Sequence, residues 1–290
     1  MSKESYKISI VISGRDDNHG GEDISFDFIT RLKKSVENNF SKLSKLTTVQ
    51  YVIVDWSPID KKYLYKNDNL LNIFNNPNFK NIIVEQSAIE KTNHNPTKFY
   101  DLSAKNVGIR RSDGEYVLIT NTDNLFTDEL CENIIKAIEE DDLNTYYRPY
   151  SRIDVDKDLN IISEGLSFPK NGLYEDEYVG TPAAGDFVLL KKSTLINTGK
   201  GYIETYINNS NKDATQTYVD AWLVMNLANN GVKPKMINGS FYSFHHNKDH
   251  RSNMAGPGLL DKSINYDNFE NWGMLNFPEE IVNNNTIKVI

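Results

Sequence analysis

An alternation in the first half of the chain constrains the fold more than any other feature. Four short runs have the β-branched, apolar content of buried strands: Lys7 to Ser13 (KISIVIS), Val49 to Trp56 (VQYVIVDW), Asn81 to Gln86 (NIIVEQ) and Tyr116 to Ile119 (YVLI). Helical spacing stands between them. Phe28, Ile29, Leu32, Val36 and Phe40 place a helix over Phe26 to Leu43. Residues 99–114 (FYDLSAKNVGIRRSDG) predict another, ended by Gly114 as its C′ residue. TDELCENIIKAIEEDD predicts an amphipathic helix capped by Thr127 or Asp128, and YLYKNDNLLNIFNN adds a short one. The order β-α-β-α-β-α-β-α over about the first 145 residues predicts an α/β fold, with a mostly parallel, Rossmann-like sheet flanked by helices.

Sheets of this kind bind ligands at the carboxyl ends of their strands. Ser13-Gly14-Arg15, Asp55-Trp56 and Asn121-Thr122-Asp123 all stand at such ends, so they are expected to converge on one edge. An acidic residue just past a buried strand suits a hard cation. Mg2+ and Mn2+ prefer carboxylate, water and phosphate oxygens and take one or two protein carboxylates. A strand-end Asp also serves simply to cap the next helix.

The second half is less regular. Gly185 to Lys192 (GDFVLLKK) reads as a strand, and Thr217 to Gly231 as a helix closed by Gly231. Residues 233–251 (KPKMINGSFYSFHHNKDHR) hold one or two strands and then His245, His246 and His250. Imidazole suits Mn2+. The alternation Tyr242, Phe244 carries His246 to one side, which favours it over His245. Asp220 lies at the start of a helix, where a carboxylate is favoured electrostatically. The same position also suits a base that takes a proton from an attacking hydroxyl. From Asn253 the chain reads as a loop-like tail. With no repeat and no linker, one continuous domain is expected over residues 1–290: a nucleotide-binding half to about 145, an acceptor half to about 252, and the tail.

Several classes are disfavoured. The net charge of −8, with no Lys/Arg block, opposes nucleic-acid binding. The single Cys131 allows no disulfide within the chain and no Cys-based metal cluster. The first residues hold no apolar leader, and no run of about 18 apolar residues occurs, so a soluble, cytoplasmic protein without a membrane span is expected. VISGRDDNHGGED, at the first strand end, carries neither G-x-G-x-x-G nor a P-loop, and no G-x-S-x-G follows elsewhere. Its acidic character also disfavours a nucleotidyltransferase, which needs basic residues there to clamp a triphosphate.

The stretches KISIVISGRDD, YVIVDWSP, AKNVGIRRSDGEYVLITNTD, GDFVLLKK and YVDAWLVMNLANNGVK occur in that order between Lys7 and His250. Together they resemble the GT-A nucleotide-sugar glycosyltransferases, nearest the broad glycosyltransferase family 2. The resemblance implies a GT-A fold that moves a sugar from a nucleoside-diphosphate sugar, by default a UDP-sugar, to a hydroxyl of a glycan, protein or small-molecule acceptor. It implies that Ser13, Arg15, Asp55 and Trp56 lie beside the base and ribose, and that Asn106, Gly108 and Arg110 border the donor. Asn121, Thr122 and Asp123 stand where the family has Asp-x-Asp, so Asp123 is implied to hold Mn2+ or Mg2+ on the diphosphate. Gly185 and Asp186 match the strand near the donor sugar and acceptor. Asp220 matches the base of inverting members. His246, or its neighbour, matches a late metal ligand, and His250 or Arg251 would stabilise the leaving diphosphate. Two positions depart from the pattern: Asn121 replaces the first Asp, and Val219 precedes Asp220 where Glu is frequent. The alternative expectation is therefore a weakened or inactive GT-A protein that binds nucleotide or glycan.

Overall fold

The computed structural model describes residues 5–16, 26–92, 94, 96, 99–167, 185–202, 204, 219–244 and 270–290, with backbone only at 164–167, 219–222 and 225. Its strands are β1 (Ile8–Gly14), β2 (Val49–Trp56), β3 (Phe79–Val84), β4 (Tyr116–Thr120), β5 (Asn124–Phe126), β6 (Thr145–Val155), β7 (Ile161–Ser167), β8 (Phe187–Lys191), β9 (Lys233–Phe244), β10 (Glu279–Asn283) and β11 (Thr286–Val289). Its α-helices are α1 (Phe28–Leu43), α2 (Leu71–Phe74), α3 (Gln86–Glu90), α4 (Asp101–Arg111), α5 (Asp128–Glu139), α6 (Lys192–Thr194) and α7 (Val219–Asn229).

One sheet takes all eleven strands, in the order β10-β11-β3-β2-β1-β4-β8-β6-β9-β5, with β7 on β6. The block β11-β3-β2-β1-β4 is parallel throughout. Beyond it β8 runs antiparallel to both β4 and β6, and β6 pairs with β9 in parallel, so the sheet as a whole is mixed. The expected parallel α/β sheet therefore holds for the centre, and the second half of the chain adds the antiparallel strands.

Right-handed crossovers decide where the helices lie. The chain moves outward from β1 to β3 and then returns past β1 to β4, which puts α1 and α4 on opposite faces. Alternate strand residues feed two cores. Val11, Val52, Val54, Val117 and Ile119 pack with Val107 of α4 and Leu223 of α7. Ile10, Ile12, Tyr51, Ile53 and Leu118 pack with Leu32 of α1 and Ile134 of α5. Gly108 lets α4 lie directly on the sheet: a Cβ there would stand 2.6 Å from Val11 Cγ1 and 2.9 Å from Val54 Cγ2.

Three expectations need correction. First, α4 stops at Arg111, with Ser112 already extended (φ −71°, ψ 151°), so Gly114 is not its C′ residue. Gly114 is instead a close-approach position. Its N–H donates to Ser9 Oγ at 2.8 Å, and a Cβ there would meet Ser9 N at 2.4 Å. Second, the tail is not all loop. Arg110 and Arg111 hold residues 270–274, and β11 then extends the parallel block against β3. Third, β6 and β7 had no counterpart in the sequence reading, because Arg148, Pro149 and Arg152 interrupt the apolar pattern of β6. Thr127 does cap α5, accepting from Leu130 N–H. No helix among the described residues is long and apolar enough to cross a membrane.

Candidate functional site

The order β3-β2-β1-β4 creates a switch point, since crossovers leave β1 and β4 towards opposite sides. In sheets of this topology the ligand crevice is expected outside the carboxyl ends of those two strands. Ser13 is the last residue but one of β1, Asn121 to Asp123 follow β4, Asp186 precedes β8, and the first turns of α4 supply Asp101 and Lys105.

Ser13, Asp101, Lys105, Asn121 and Asp186 form one continuous chain of contacts, which Arg152 and Asp154 extend. Ser13 Oγ donates to Asp101 Oδ1. Lys105, fully buried, donates to Asp101 Oδ2 at 2.8 Å, to the Gly185 carbonyl at 3.0 Å and to Asn121 Oδ1. The other end of the Asn121 amide, Nδ2, donates to Asp186 Oδ1 at 2.6 Å. Arg152 Nη1 donates to Asp186 Oδ2, and its Nε donates to Asp154 Oδ1 at 2.8 Å. The Asp186 carbonyl accepts from Thr120 Oγ1 at 2.8 Å and Asn124 Nδ2 at 2.9 Å, which ties the end of β4 to the start of β8.

Asp123 is buried between this chain and α1, and its carbonyl accepts from Phe244 N–H at 3.1 Å. Its carboxylate acts on both neighbouring guanidiniums. Burial lowers Arg31, against which Asp123 and Asp27 work. Burial also opposes the charge on Arg152, but Asp186, Asp154 and Asp123 outweigh it and hold that group above its ordinary value.

Asp55 lies apart from the chain, at the end of β2. It is fully buried, and Oδ2 accepts from Leu64 N–H at 2.8 Å. Oδ1 has no hydrogen-bond partner among the described residues. Burial is the main reason its carboxyl is pushed up to about 8; the Leu64 bond opposes the rise, and Asp16 and Glu85 add to it. A buried acceptor without a donor is rare in a native fold and requires a proton, a water or a ligand.

The remaining expected site residues are placed as follows. Arg15 is buried, with its guanidinium 5.8 Å from the Phe99 ring. Trp56 is fully buried in the core, edge-on to His94 and Tyr100. Thr122 is half-buried in the turn after β4. Asn106 holds the backbone of Tyr202 on both sides and donates to Glu204 Oε1 at 2.8 Å. Arg110 stacks 3.7 Å from the Trp272 ring centroid and donates to the Trp272 carbonyl. These last two residues of α4 thus hold the segments at 202–204 and 270–274. Asp220 is the second residue of α7, and its side chain lies outside the description. His246, His250, His245 and Arg251 fall outside the described residues.

No family model matches this chain, and no curated protein matches it.

Among the described residues, no group of three or more His, Cys, Asp or Glu side chains could hold a metal ion. A cage built from those protein ligands alone does not fit. A Mg2+ or Mn2+ bound here would instead have to take one or two carboxylates and complete its shell with phosphate and water oxygens. Asp123 and Asp186, both acting on Arg152, are the candidates for that contact.

Lys105, Arg152, Asp101, Asp154 and Arg31 were not singled out from sequence. Lys105 had a usable signal for one of its contacts: it stands four residues after Asp101 on a helix, the spacing at which the two side chains meet. Arg152 had none, because its strand was not foreseen.

Proposed function

We propose that this chain is a metal-dependent glycosyltransferase of the GT-A kind, nearest family 2, which moves a sugar from a UDP-sugar to an acceptor hydroxyl. The observation that carries the reading is the concentration of charged groups at the switch-point edge, Lys105, Asp154 and Asp186 buried among them, where Asp101, Lys105, Asn121, Asp186, Arg152 and Asp154 form one connected chain. Core stability does not require such groups, since an apolar replacement of a buried ion pair is often as stable. A ligand with both a diphosphate and hydroxyls gives them work to do.

In this reading the cation supplies charge neutralisation to the diphosphate, and Asp123 holds it. Asp55 offers its orphan Oδ1 to the donor's base or ribose, beside Ser13 and Arg15. Arg152, its plane fixed by Asp186 and Asp154, keeps its Nη2 edge for an anionic oxygen. Asp186 or Asp220 accepts the proton of the acceptor hydroxyl. The acceptor is a glycan, protein or small molecule, met in the cytoplasm. A second reading, a nucleotide- or glycan-binding protein without turnover, is favoured by one observation: Asn121 Oδ1 is already taken by Lys105 and is not offered to a metal.

The test is thermal stability against a panel of nucleotides and nucleotide-sugars, with and without Mn2+. A ligand at 100 times its Kd should stabilise the fold by roughly 2.7 kcal/mol. The transferase reading expects a Mn2+-dependent rise with UDP and one UDP-sugar, lost in Asp123→Ala, together with release of UDP once an acceptor is supplied. Binding without release supports the second reading. No rise with any nucleotide overturns both.

A further inference from the structure

Asn121 stands where the resemblance implied a carboxylate, yet its surroundings call for an amide. Its Oδ1 faces the ammonium of Lys105 and its Nδ2 faces the carboxylate of Asp186. Turning the amide over would set NH2 against NH3+ and a carbonyl against a carboxylate, so the charges on either side fix its orientation. Lys105 has no hydrogen to spare, because Asp101, Gly185 and Asn121 accept all three. Asp186 in turn receives one donor on each oxygen, Asn121 on Oδ1 and Arg152 on Oδ2, while Thr120 and Asn124 hold its carbonyl. The position between an ammonium and a carboxylate demands one acceptor end and one donor end. A second carboxylate would satisfy Lys105 but confront Asp186 with a like charge.

We infer that Asn121 is a positioning residue, whose amide couples Lys105 to Asp186 and sets the Asp186 carboxylate towards the ligand of the crevice. It is not the remnant of a lost metal ligand, and restoring an acidic residue there breaks the site instead of repairing it. The ligand-setting half of this inference rests on the transferase reading; the coupling itself does not.

Asn121→Asp, Asp186→Asn and the double exchange separate the possibilities. Each is melted, and each is titrated calorimetrically with UDP in the presence of MnCl2. Asn121→Asp is expected to lower the Tm by about 4 °C. The double exchange is expected to regain that loss, because a carboxylate then faces Lys105 and an amide spans the gap to Arg152. UDP affinity in MnCl2 is expected to fall by about tenfold or more in all three, including the double exchange, since the carboxylate that stands beside Asp123 as a candidate contact for the cation is mis-set or has left position 186. The inference is overturned if Asn121→Asp melts with the unmodified protein, if the double exchange regains nothing, or if the double exchange binds UDP as the unmodified protein does. The last result would make the amide a structural spacer only. If the unmodified protein binds no nucleotide, the transferase reading and the ligand-setting half fall together, and the order of melting temperatures still decides the coupling.

Discussion

Arg152 and Asp186 form an ion pair in which both side chains are almost wholly removed from water, 13% and 12% exposed. The same guanidinium holds Asp154 through Nε, so one cation serves two buried carboxylates. Removing it leaves both carboxylates uncompensated, which is far costlier than the pair is beneficial. Arg152→Met is therefore expected to lose about 3–5 kcal/mol of stability, measured by urea unfolding. Combining it with Asp186→Asn should cost clearly less than the sum of the two single changes, because the partners share one contact. Additive losses would show that the contact carries no coupling.

Asp55 predicts a pH dependence of known sign. Its folded carboxyl is pushed up to about 8, chiefly by burial, from an ordinary value of 3.8. The native state therefore binds the proton more tightly than the unfolded chain. Stability from this group is fully present below 3.8 and is lost as pH rises towards about 8. Glu204, pushed up to about 7 mainly by burial, works in the same direction. Asp55→Asn keeps an acceptor for Leu64 N–H and removes the titration. Unfolding midpoints between pH 5 and 8 are expected to fall in the unmodified protein and to fall markedly less in Asp55→Asn. Parallel curves for the two would remove Asp55 as the source.

The central fold was legible because strands buried on both faces and amphipathic helices leave strong periodic signals. β1, β2 and β4 stand within a residue of where the sequence places them, and so does Asn121 at the end of β4; Asp186, expected inside the strand that opens at Gly185, stands just before β8. What escaped detection is physically weak in sequence. β10, read through as loop, is a short edge strand whose residues mostly face water, so it has no apolar period to detect. Gly114 was read as a helix stop because a glycine after a helical run usually is one; its actual reason, the Ser9 backbone, lies 105 residues away. The same distance problem hid the site network. Lys105 meets Asn121 and Gly185 only after the sheet has brought α4, β4 and β8 together, and no local pattern announces a contact of that range.

Trp272 provides the test of whether the last residues are built into the fold. Its ring is buried, and the Arg110 guanidinium lies 3.7 Å from its centroid. Beside it, Gly273 N–H donates to Glu204 Oε1 at 3.0 Å, and the carbonyls of Gly273 and Met274 accept from Arg111 at 2.8 Å each. The turn therefore seals the outer side of α4, the helix whose other contacts reach the Lys105–Asn121 pair. Trp272→Ala is expected to cost about 3–5 kcal/mol, as for a buried aromatic removed from a packed core. Hydrogen exchange should then show faster opening of α4 and β11 than of β1 and β2, because the lost contacts lie on α4 and on the segment leading into β11. A loop-like tail would instead lose little stability on the same substitution, and exchange in α4 would stay as slow as in β1.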